Sequence, residues 1–319
     1  MGKFLKNTLI FSIIVLFIHL IFALSANAYI DDYYGKLSNG HKNSLVIGTS
    51  RALQGIIPTT VDSTLQLKER KLYNFAFTLS SSPFGKVYFD AITKKISQES
   101  TDNYCIIAID PWSLSEKMSF KSTATFDSLS ALYELNDVCS NPNFEYLYSK
   151  YPNGWGNLVL KRLETYLLLK NARKLNKSVS GSFSYVNNDG HLKVYTSLDD
   201  KFVAKKEINK LKVYREIADS SLISAYRLDY LLKTINLLKK QGKVYLVRLP
   251  VPNKMLQLEE KYAPNFNTLI TEATARSDGY FDITNFNNNY KFTDGNHLEK
   301  SSSKLVSIEI GKWIKFTNN

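Results

Sequence analysis

Short apolar segments alternate with helix-type segments along most of the chain, and this alternation is the feature that most restricts the fold. Helical spacing of apolar residues is clearest at 228–238 and at 306–314. Five segments have the length and composition of buried strands, at 44–48, 71–77, 104–109, 244–249 and 279–283. Strands that alternate with helices predict a doubly wound parallel sheet with helices on both faces. The predicted fold class is therefore α/β, with a mostly parallel five-stranded sheet in a three-layer, flavodoxin-like arrangement.

The segment from about 112 to 205 does not fit this alternation. It is rich in aromatic residues and contains a predicted hairpin at 183–195, with its turn at 188–190. We interpret it as an insertion that covers a site within an α/β domain spanning 44–319. Residues 29–43 are polar and turn-rich, and they are predicted to form a linker ahead of this domain.

The first 28 residues have the composition of an export signal. Lys3 and Lys6 precede an uncharged stretch from Thr8 to Leu24, and an Ala-x-Ala pattern follows at 26–28. The uncharged stretch also reaches the lower length limit of a membrane span, so a cleaved signal and an uncleaved anchor both remain open. Both predict an exported domain on the extracytoplasmic side, because the positive residues precede the apolar stretch.

The charge balance gives little support for a nucleic-acid partner. The formal net charge is +12, but the basic residues are spread along the chain, as in an ordinary lysine-rich surface. No zinc-type spacing or basic-helix array is present, so we predict no nucleic-acid binding. Attraction to an anionic membrane or an acidic glycan stays open. The four histidines lack metal-ligand spacing and no nucleotide-binding glycine motif occurs, so neither a metal nor a cofactor is predicted.

The two cysteines, Cys105 and Cys139, are too few for a disulfide framework. Cys105 lies in the apolar segment 104–109, where a buried thiol is expected. A single disulfide with Cys139 in an oxidising compartment is the alternative.

Reactive side chains follow the predicted strands at the edge where parallel sheets bind ligands. Ser50 comes just after the first strand, and Asp294 and His297 precede the final helix. A serine nucleophile needs a base within hydrogen-bond reach, and the base needs a group that orients it. We predict that the topology brings Ser50 to His297, that Asp294 holds the ring, and that the Ser50 backbone N–H donates to an oxyanion. The structural alternatives are a helix cap for Ser50, a turn residue for Asp294 and a solvated loop histidine for His297.

The segment Val46–Arg51, together with Asp294 and His297, resembles the first and last sequence blocks of the SGNH/GDSL hydrolase superfamily. The resemblance follows the strand and helix order from about Ser44 to Ile314. It is closest to the membrane-anchored SGNH-like proteins of bacterial envelopes, which are linked to O-acetylation or other acyl modification of cell-surface glycans. The resemblance implies that Ser50 is the nucleophile, His297 the base and Asp294 the residue that orients the base.

Two blocks of that family are altered here. The second block offers a glycine as oxyanion donor, whereas this chain has Asn74 in a stretch without glycine. The third block carries an asparagine, whereas the matching strand ends at Asp110. Loss of an oxyanion side chain costs about 10²–10³ in turnover. Asn74, Asp110, Arg51 and Arg248 are the candidates for binding the substrate or the oxyanion. Arg248 points toward the site if strand phase permits, where it can bind an acidic substrate group.

Two hypotheses follow. The first is an extracytoplasmic serine esterase or O-acyltransferase that acts on acyl esters, chiefly acetyl esters, of a cell-envelope polysaccharide. The second is a catalytically degraded protein of the same fold that binds a glycan or assists assembly, in partnership with a membrane-bound O-acyltransferase.

Overall fold

The computed structural model describes residues 1–26, 31, 33–67, 72–78, 82–97, 103–118, 132, 135–151, 157, 158, 160, 163, 164, 166, 167 and 183–318. The chain forms two compact units. One comprises residues 1–40 and 135–177, and the other comprises residues 41–134 and 178–319.

The larger unit is built on a five-stranded sheet in which every strand pair is parallel. Its strands are β1 (Ser44–Ile47), β2 (Leu72–Asn74), β3 (Asn103–Ala108), β4 (Gly242–Arg248) and β5 (Gly279–Asp282). The spatial order is β2-β1-β3-β4-β5. All five predicted strands and the α/β class are therefore confirmed. The order reverses between β1 and β3, and a sheet of this kind binds ligands beyond the carboxyl ends of the strands at such a reversal.

Twelve helices accompany the strands within the described part of the chain. They are α1 (Gly2–Leu24), α2 (Tyr34–Ser38), α3 (Ser50–Gly55), α4 (Pro58–Thr64), α5 (Lys86–Lys95), α6 (Phe144–Lys150), α7 (Asp200–Ser220), α8 (Ala225–Lys239), α9 (Asn253–Tyr262), α10 (Phe266–Leu269), α11 (Thr271–Arg276) and α12 (Lys300–Thr317). Short 3₁₀ helices span Pro111–Leu114 and Thr284–Asn289, and Ser115–Lys117 pairs with Ser221–Ile223 as an antiparallel ribbon.

Both faces of the sheet are covered by helices. Val46 and Val247 belong to one apolar cluster with Ile310 of α12. The alternate positions Ile47 and Leu246 are also fully buried, and they face the opposite side because successive strand side chains alternate. On that side α8 packs against β4 and α5. This two-sided burial explains why the strands are apolar almost throughout, as expected for a parallel sheet.

The N-terminal helix α1 is almost entirely exposed. It is 23 residues long, its most apolar window has a mean hydropathy of 2.4, and only 6% of that window is buried. Burial this low is inconsistent with a core helix. The segment is long and apolar enough to be a membrane anchor or a signal sequence. Residues 27 and 28 of the Ala-x-Ala pattern lie outside the described residues.

The predicted linker contains a buried helix. Every residue of α2 is buried, and the backbone N–H of Asn143 donates to the Tyr34 hydroxyl at 3.2 Å. The Asp31 carboxylate accepts from the hydroxyls of Tyr146 and Tyr151 at 2.9 and 3.0 Å. The segment thus packs with residues 135–151 in the smaller unit. Its tyrosines supply apolar surface that a solvated linker lacks.

The predicted insertion is only partly described, since residues 119–131 and 168–182 lie outside the described residues. Its C-terminal part runs into α7, a helix that extends well past the predicted end at 205. Both cysteines of the chain are described, and neither is in a disulfide. Cys105 is buried in β3, its sulfur accepts from the backbone N–H of Leu45, and burial raises the pKa of its thiol to about 12.

The predicted hairpin is present, with strands Phe183–Val186 and Leu192–Tyr195 paired antiparallel. Its turn docks at the end of β2, where the backbone N–H of Asn74 donates to the Asp189 carbonyl at 2.8 Å. Gly190 has a φ of +81°, and a Cβ atom there would lie 2.1 Å from the Asn74 carbonyl oxygen. Glycine at this position is therefore required both by backbone conformation and by the close approach of β2.

Gly190→Ala is expected to lower the free energy of unfolding by at least about 1–2 kcal/mol, the ordinary cost of a left-handed conformation for a residue with a Cβ. The contact with β2 adds to this cost. Urea denaturation of the full-length protein measures the change. Gly40→Ala is the control, because a Cβ at Gly40 meets nothing within 4 Å. Equal stability of the two variants would contradict the docking of the hairpin on β2.

Candidate active site

Ser50, His297 and Asp294 form a hydrogen-bonded chain. The Ser50 Oγ atom lies 2.9 Å from Nε2 of His297. On the other side of the ring, Nδ1 lies 2.9 Å from Oδ2 and 3.1 Å from Oδ1 of Asp294. The topology therefore brings together the three residues predicted from the sequence, although 247 positions separate Ser50 from His297. Their catalytic roles stay predictions.

A tight turn from strand to helix places Ser50. Gly48 has a φ of +156°, and a Cβ atom there would lie 2.7 Å from the Ala52 Cβ and 3.0 Å from the Ala108 Cβ. Thr49 is the N-cap of α3, and its side chain accepts from the backbone N–H of Arg51. Ser50 is consequently the first helical residue and not the cap. This leaves its hydroxyl for His297.

A closed loop places Asp294 and His297. The Asp294 Oδ1 atom accepts from the backbone N–H groups of Asn296 and His297, both at 2.8 Å. The backbone N–H of Thr293 donates to the His297 carbonyl at 2.9 Å. A Cβ on Gly295 would approach the backbone of Glu207 at about 3.1 Å, so α7 lies directly against the loop. Asp294 is therefore both the turn residue of this loop and the partner of the His297 ring.

The Asp294 carboxylate stays ionised. Burial raises its pKa, but the hydrogen bonds and charge of His297, together with the charge of Lys210, outweigh burial and hold the pKa well below its usual range. The Lys210 ammonium lies 3.8 Å from Oδ2. An ionised Asp294 favours the ring tautomer with a proton on Nδ1, which leaves Nε2 to accept the Ser50 proton.

One oxyanion donor is available on the backbone. The N–H of Ser50 has no hydrogen-bond partner within the part of the chain that the structure describes. It belongs to the first turn of α3, where backbone N–H groups have no intrahelical acceptor. A carbonyl oxygen of an ester bonded to Ser50 Oγ can accept from it.

Asn74, a predicted oxyanion donor, has its side chain hydrogen-bonded to backbone groups. Its side-chain nitrogen donates to the carbonyls of Ala52 and Ile56 at 2.9 and 3.0 Å, and its oxygen accepts from the backbone N–H of Ala76. Both side-chain N–H groups are thus committed to the end of α3. Asn74 is fully buried and joins β2 to α3.

Arg248, the predicted partner of an acidic substrate group, faces carboxylates of the chain itself. Its guanidinium pairs with Glu259 at 3.1 Å and lies 3.7 Å from Asp282, over the ring of Phe266. Strand phase does aim it toward the carboxyl edge, but α9 covers it there. Only 7% of the residue is exposed. A contact between Arg248 and a substrate stays a prediction.

Arg51 and Asp110 belong to the same buried charge network. Arg51 pairs with Glu259 and lies 3.8 Å from Asp110. Burial lowers the pKa of Arg51, but Glu259 and Asp110 raise it above its usual range, so the guanidinium stays charged. Asp110 caps the 3₁₀ helix Pro111–Leu114 through Ser113. Burial raises the pKa of Asp110, whereas Arg51 lowers it, and the net direction is upward.

Glu259 is the residue that links this network, and the sequence reading missed it. It is fully buried and accepts from Arg51, from Arg248 and from the indole N–H of Trp112. One signal was available, because Glu259 falls four residues after the buried Met255, on the apolar face of α9. An acidic residue on an apolar helix face indicates a buried partner.

Two pockets lie beside the site in the larger unit. One, of about 490 Å³, is lined by Val203, Glu207, Phe292 and Asp294, among others. The second, of about 200 Å³, lies under the hairpin, and its lining includes Gln54 of α3. Ser50 itself lines neither. The described residues contain no cluster of three or more His, Cys, Asp or Glu side chains that could hold a metal ion.

Neither a family model nor a curated protein matches the chain.

Proposed function

We propose that this chain is an exported, membrane-anchored serine esterase or O-acyltransferase of the SGNH type, acting on acyl esters of a cell-envelope polysaccharide. The observation that carries the proposal is the continuous hydrogen-bond chain from Ser50 Oγ through the His297 ring to the Asp294 carboxylate. Supporting it are the strand order of the sheet and the position of Ser50 directly after β1, at the edge where such sheets bind ligands.

The chemistry would proceed by acyl transfer through Ser50. The Ser50 Oγ attacks the acyl carbonyl while His297 Nε2 takes the hydroxyl proton. The bond from the carbonyl carbon to the sugar oxygen then breaks, and His297 returns the proton to that oxygen. Water or a second sugar hydroxyl next attacks the acyl-Ser50 ester, gives its proton to His297, and releases Ser50 with its proton restored. Asp294 stabilises the imidazolium that forms in each half-reaction.

The α1 helix supports the location. An anchored or exported protein meets envelope glycans directly, and lysines before the apolar stretch favour an extracytoplasmic domain. A membrane-bound O-acyltransferase is the partner that we propose, since such an enzyme would deliver the acyl group across the membrane to Ser50.

Labelling by a fluorophosphonate tests this function, because the probe reacts far faster with an activated serine than with an ordinary serine hydroxyl. Full-length protein in detergent is expected to gain one phosphonyl adduct, detected by intact mass and located by peptide mapping to Ser50. The same protein unfolded in urea is the control and is expected to gain none. Absence of an adduct at Ser50 in the folded protein would overturn the proposal.

A second candidate function is a glycan-binding or assembly protein with a degraded site. The observation that favours it is the commitment of both Asn74 side-chain N–H groups to backbone carbonyls, which leaves the oxyanion without that donor. Glycan binding that is equal in the wild-type protein and in Ser50→Ala, together with an unlabelled Ser50, would select this function.

A further inference from the structure

Asn296 lies between the candidate base and a buried arginine. Its side chain is 1% exposed. The side-chain oxygen accepts from Nε of Arg51 at 2.8 Å. The side-chain nitrogen donates to the Tyr214 hydroxyl at 3.0 Å and lies 3.3 Å from Nε2 of His297. Asn296 therefore contacts the same ring atom that faces Ser50 Oγ.

Arg51 fixes which end of the Asn296 amide faces the ring. A guanidinium has only donors and stays charged in proteins, so the atom facing Nε of Arg51 must be the amide oxygen. The amide nitrogen is then turned toward Tyr214 and His297. Arg51 is itself held by Glu259 and Asp110, so the whole buried network sets the orientation of this amide.

This orientation constrains the proton on the His297 ring. An amide N–H beside Nε2 is favourable when Nε2 carries a lone pair and unfavourable when Nε2 carries a proton. Asp294 acts at the opposite nitrogen and requires a proton on Nδ1. The two residues together favour the neutral tautomer that accepts the Ser50 proton. Asn296 also opposes the imidazolium that Asp294 stabilises.

Several other groups surround the ring or its partners. Lys210 of α7 lies 3.8 Å from the Asp294 carboxylate, and the Tyr214 hydroxyl of the same helix contacts Asn296. Burial raises the pKa of Tyr214 although Arg51 lowers it, so the phenol stays neutral. The charged groups that face the ring directly or through one residue are Asp294, Lys210, Arg51, Asp110 and Glu259.

We infer that Asn296, oriented by Arg51, is a positioning residue that keeps Nε2 of His297 an acceptor. The inference rests on the function proposed above, in which Nε2 takes the Ser50 proton. It gives the Arg51–Glu259 network a role in the reaction: the network holds an amide against the base. It also counteracts the stabilisation of the imidazolium by Asp294.

Asn296→Asp tests the inference, because it replaces the donor facing Nε2 with an acceptor of nearly the same shape. The titration midpoint of the His297 ring is expected to rise by about 1–3 pH units, the effect of a nearby opposite charge. ¹⁵N-histidine NMR of the full-length protein in detergent measures this midpoint and the tautomer. The His297 signals are assigned by their loss in His297→Gln. Fluorophosphonate labelling of Ser50 is expected to shift its pH midpoint upward by the same amount.

Asn288→Asp is the matched control, since it adds the same charge at an exposed asparagine and is expected to leave both midpoints unchanged. Asn296→Ala is the second variant. It removes the donor without adding charge and is expected to raise the midpoint by less than Asn296→Asp does. Unchanged ring titration in both Asn296 variants would overturn the inference. An unlabelled Ser50 in the wild-type protein would instead reject the proposed function, while the ring titration would still report on Asn296.

Discussion

Ester hydrolysis by the full-length protein is expected to fall about 10⁶-fold in Ser50→Ala, the size of loss seen when a triad nucleophile is removed. The physical reason is that Nε2 of His297 lies 2.9 Å from Ser50 Oγ. No other serine hydroxyl of the described residues is hydrogen-bonded to this nitrogen. Release of nitrophenol from a short-chain nitrophenyl ester measures the rate. Ser63→Ala is the control, because Ser63 is exposed on α4 and its hydroxyl donates to the Thr59 carbonyl of the same helix.

His297→Gln is expected to lose nearly as much, and the double variant Ser50→Ala/His297→Gln no more than Ser50→Ala alone. Residues that act as one unit give such non-additive losses. Additive losses in the double variant would mean that Ser50 and His297 act separately. Equal rates in the wild-type protein and in Ser50→Ala would remove Ser50 as the nucleophile.

Glu259→Gln is expected to lower the free energy of unfolding by about 3–5 kcal/mol, the cost of removing one partner from a buried ion pair. Glu259 is fully buried and is the shared partner of Arg51 and Arg248. Without its charge, two guanidinium groups lie in the interior beside carboxylates that they reach only at 3.7 and 3.8 Å. Urea denaturation monitored by tryptophan fluorescence measures the loss, since Trp112 donates to Glu259.

Glu260→Gln removes the same charge from the neighbouring, exposed position on α9 and is expected to change the stability by less than about 0.5 kcal/mol. A comparable loss of unfolding free energy in the two variants would show that the buried ion pairs of Glu259 add nothing to stability beyond the effect of one negative charge.

The sequence was sufficient for the central sheet because parallel strands are buried on both faces and therefore appear as nearly continuous apolar runs. The strand β3, with Cys105 to Ala108 all buried, is the clearest example. The same topology brings the carboxyl end of β1 and the loop before α12 to one edge of the sheet. The contact between Ser50 and His297 could therefore also be predicted from the sequence pattern.

The partners of Arg51 and Arg248 did not follow from the sequence. A charged residue at the end of a strand can face solvent, a ligand or a buried counter-charge, and the pattern does not distinguish these cases. Glu259 lies 208 and 11 positions from these arginines, and only the packing of α9 over the sheet edge joins them. Asn296 was equally hidden, since its sequence context is that of an ordinary turn.

The helix α2 was missed for a different reason. Residues around it are polar and lack apolar periodicity, which predicts a linker. Tyr34 and Leu37 are nevertheless buried within the smaller unit. Tyrosines pack their rings while their hydroxyls bond to Asp31 and neighbouring groups. A count of polar residues therefore underestimates the surface that such a segment can bury.

The distance in sequence between Ser50 and His297 has a consequence for biogenesis. Under the proposed function, a chain exported from its N-terminus would deliver the Ser50 hydroxyl well before the His297 imidazole, which follows 247 positions later. During translocation the serine would have no proton acceptor, so it could not attack the esters of the membrane that it crosses. Reactivity would begin only once the loop that carries His297 has closed on β1.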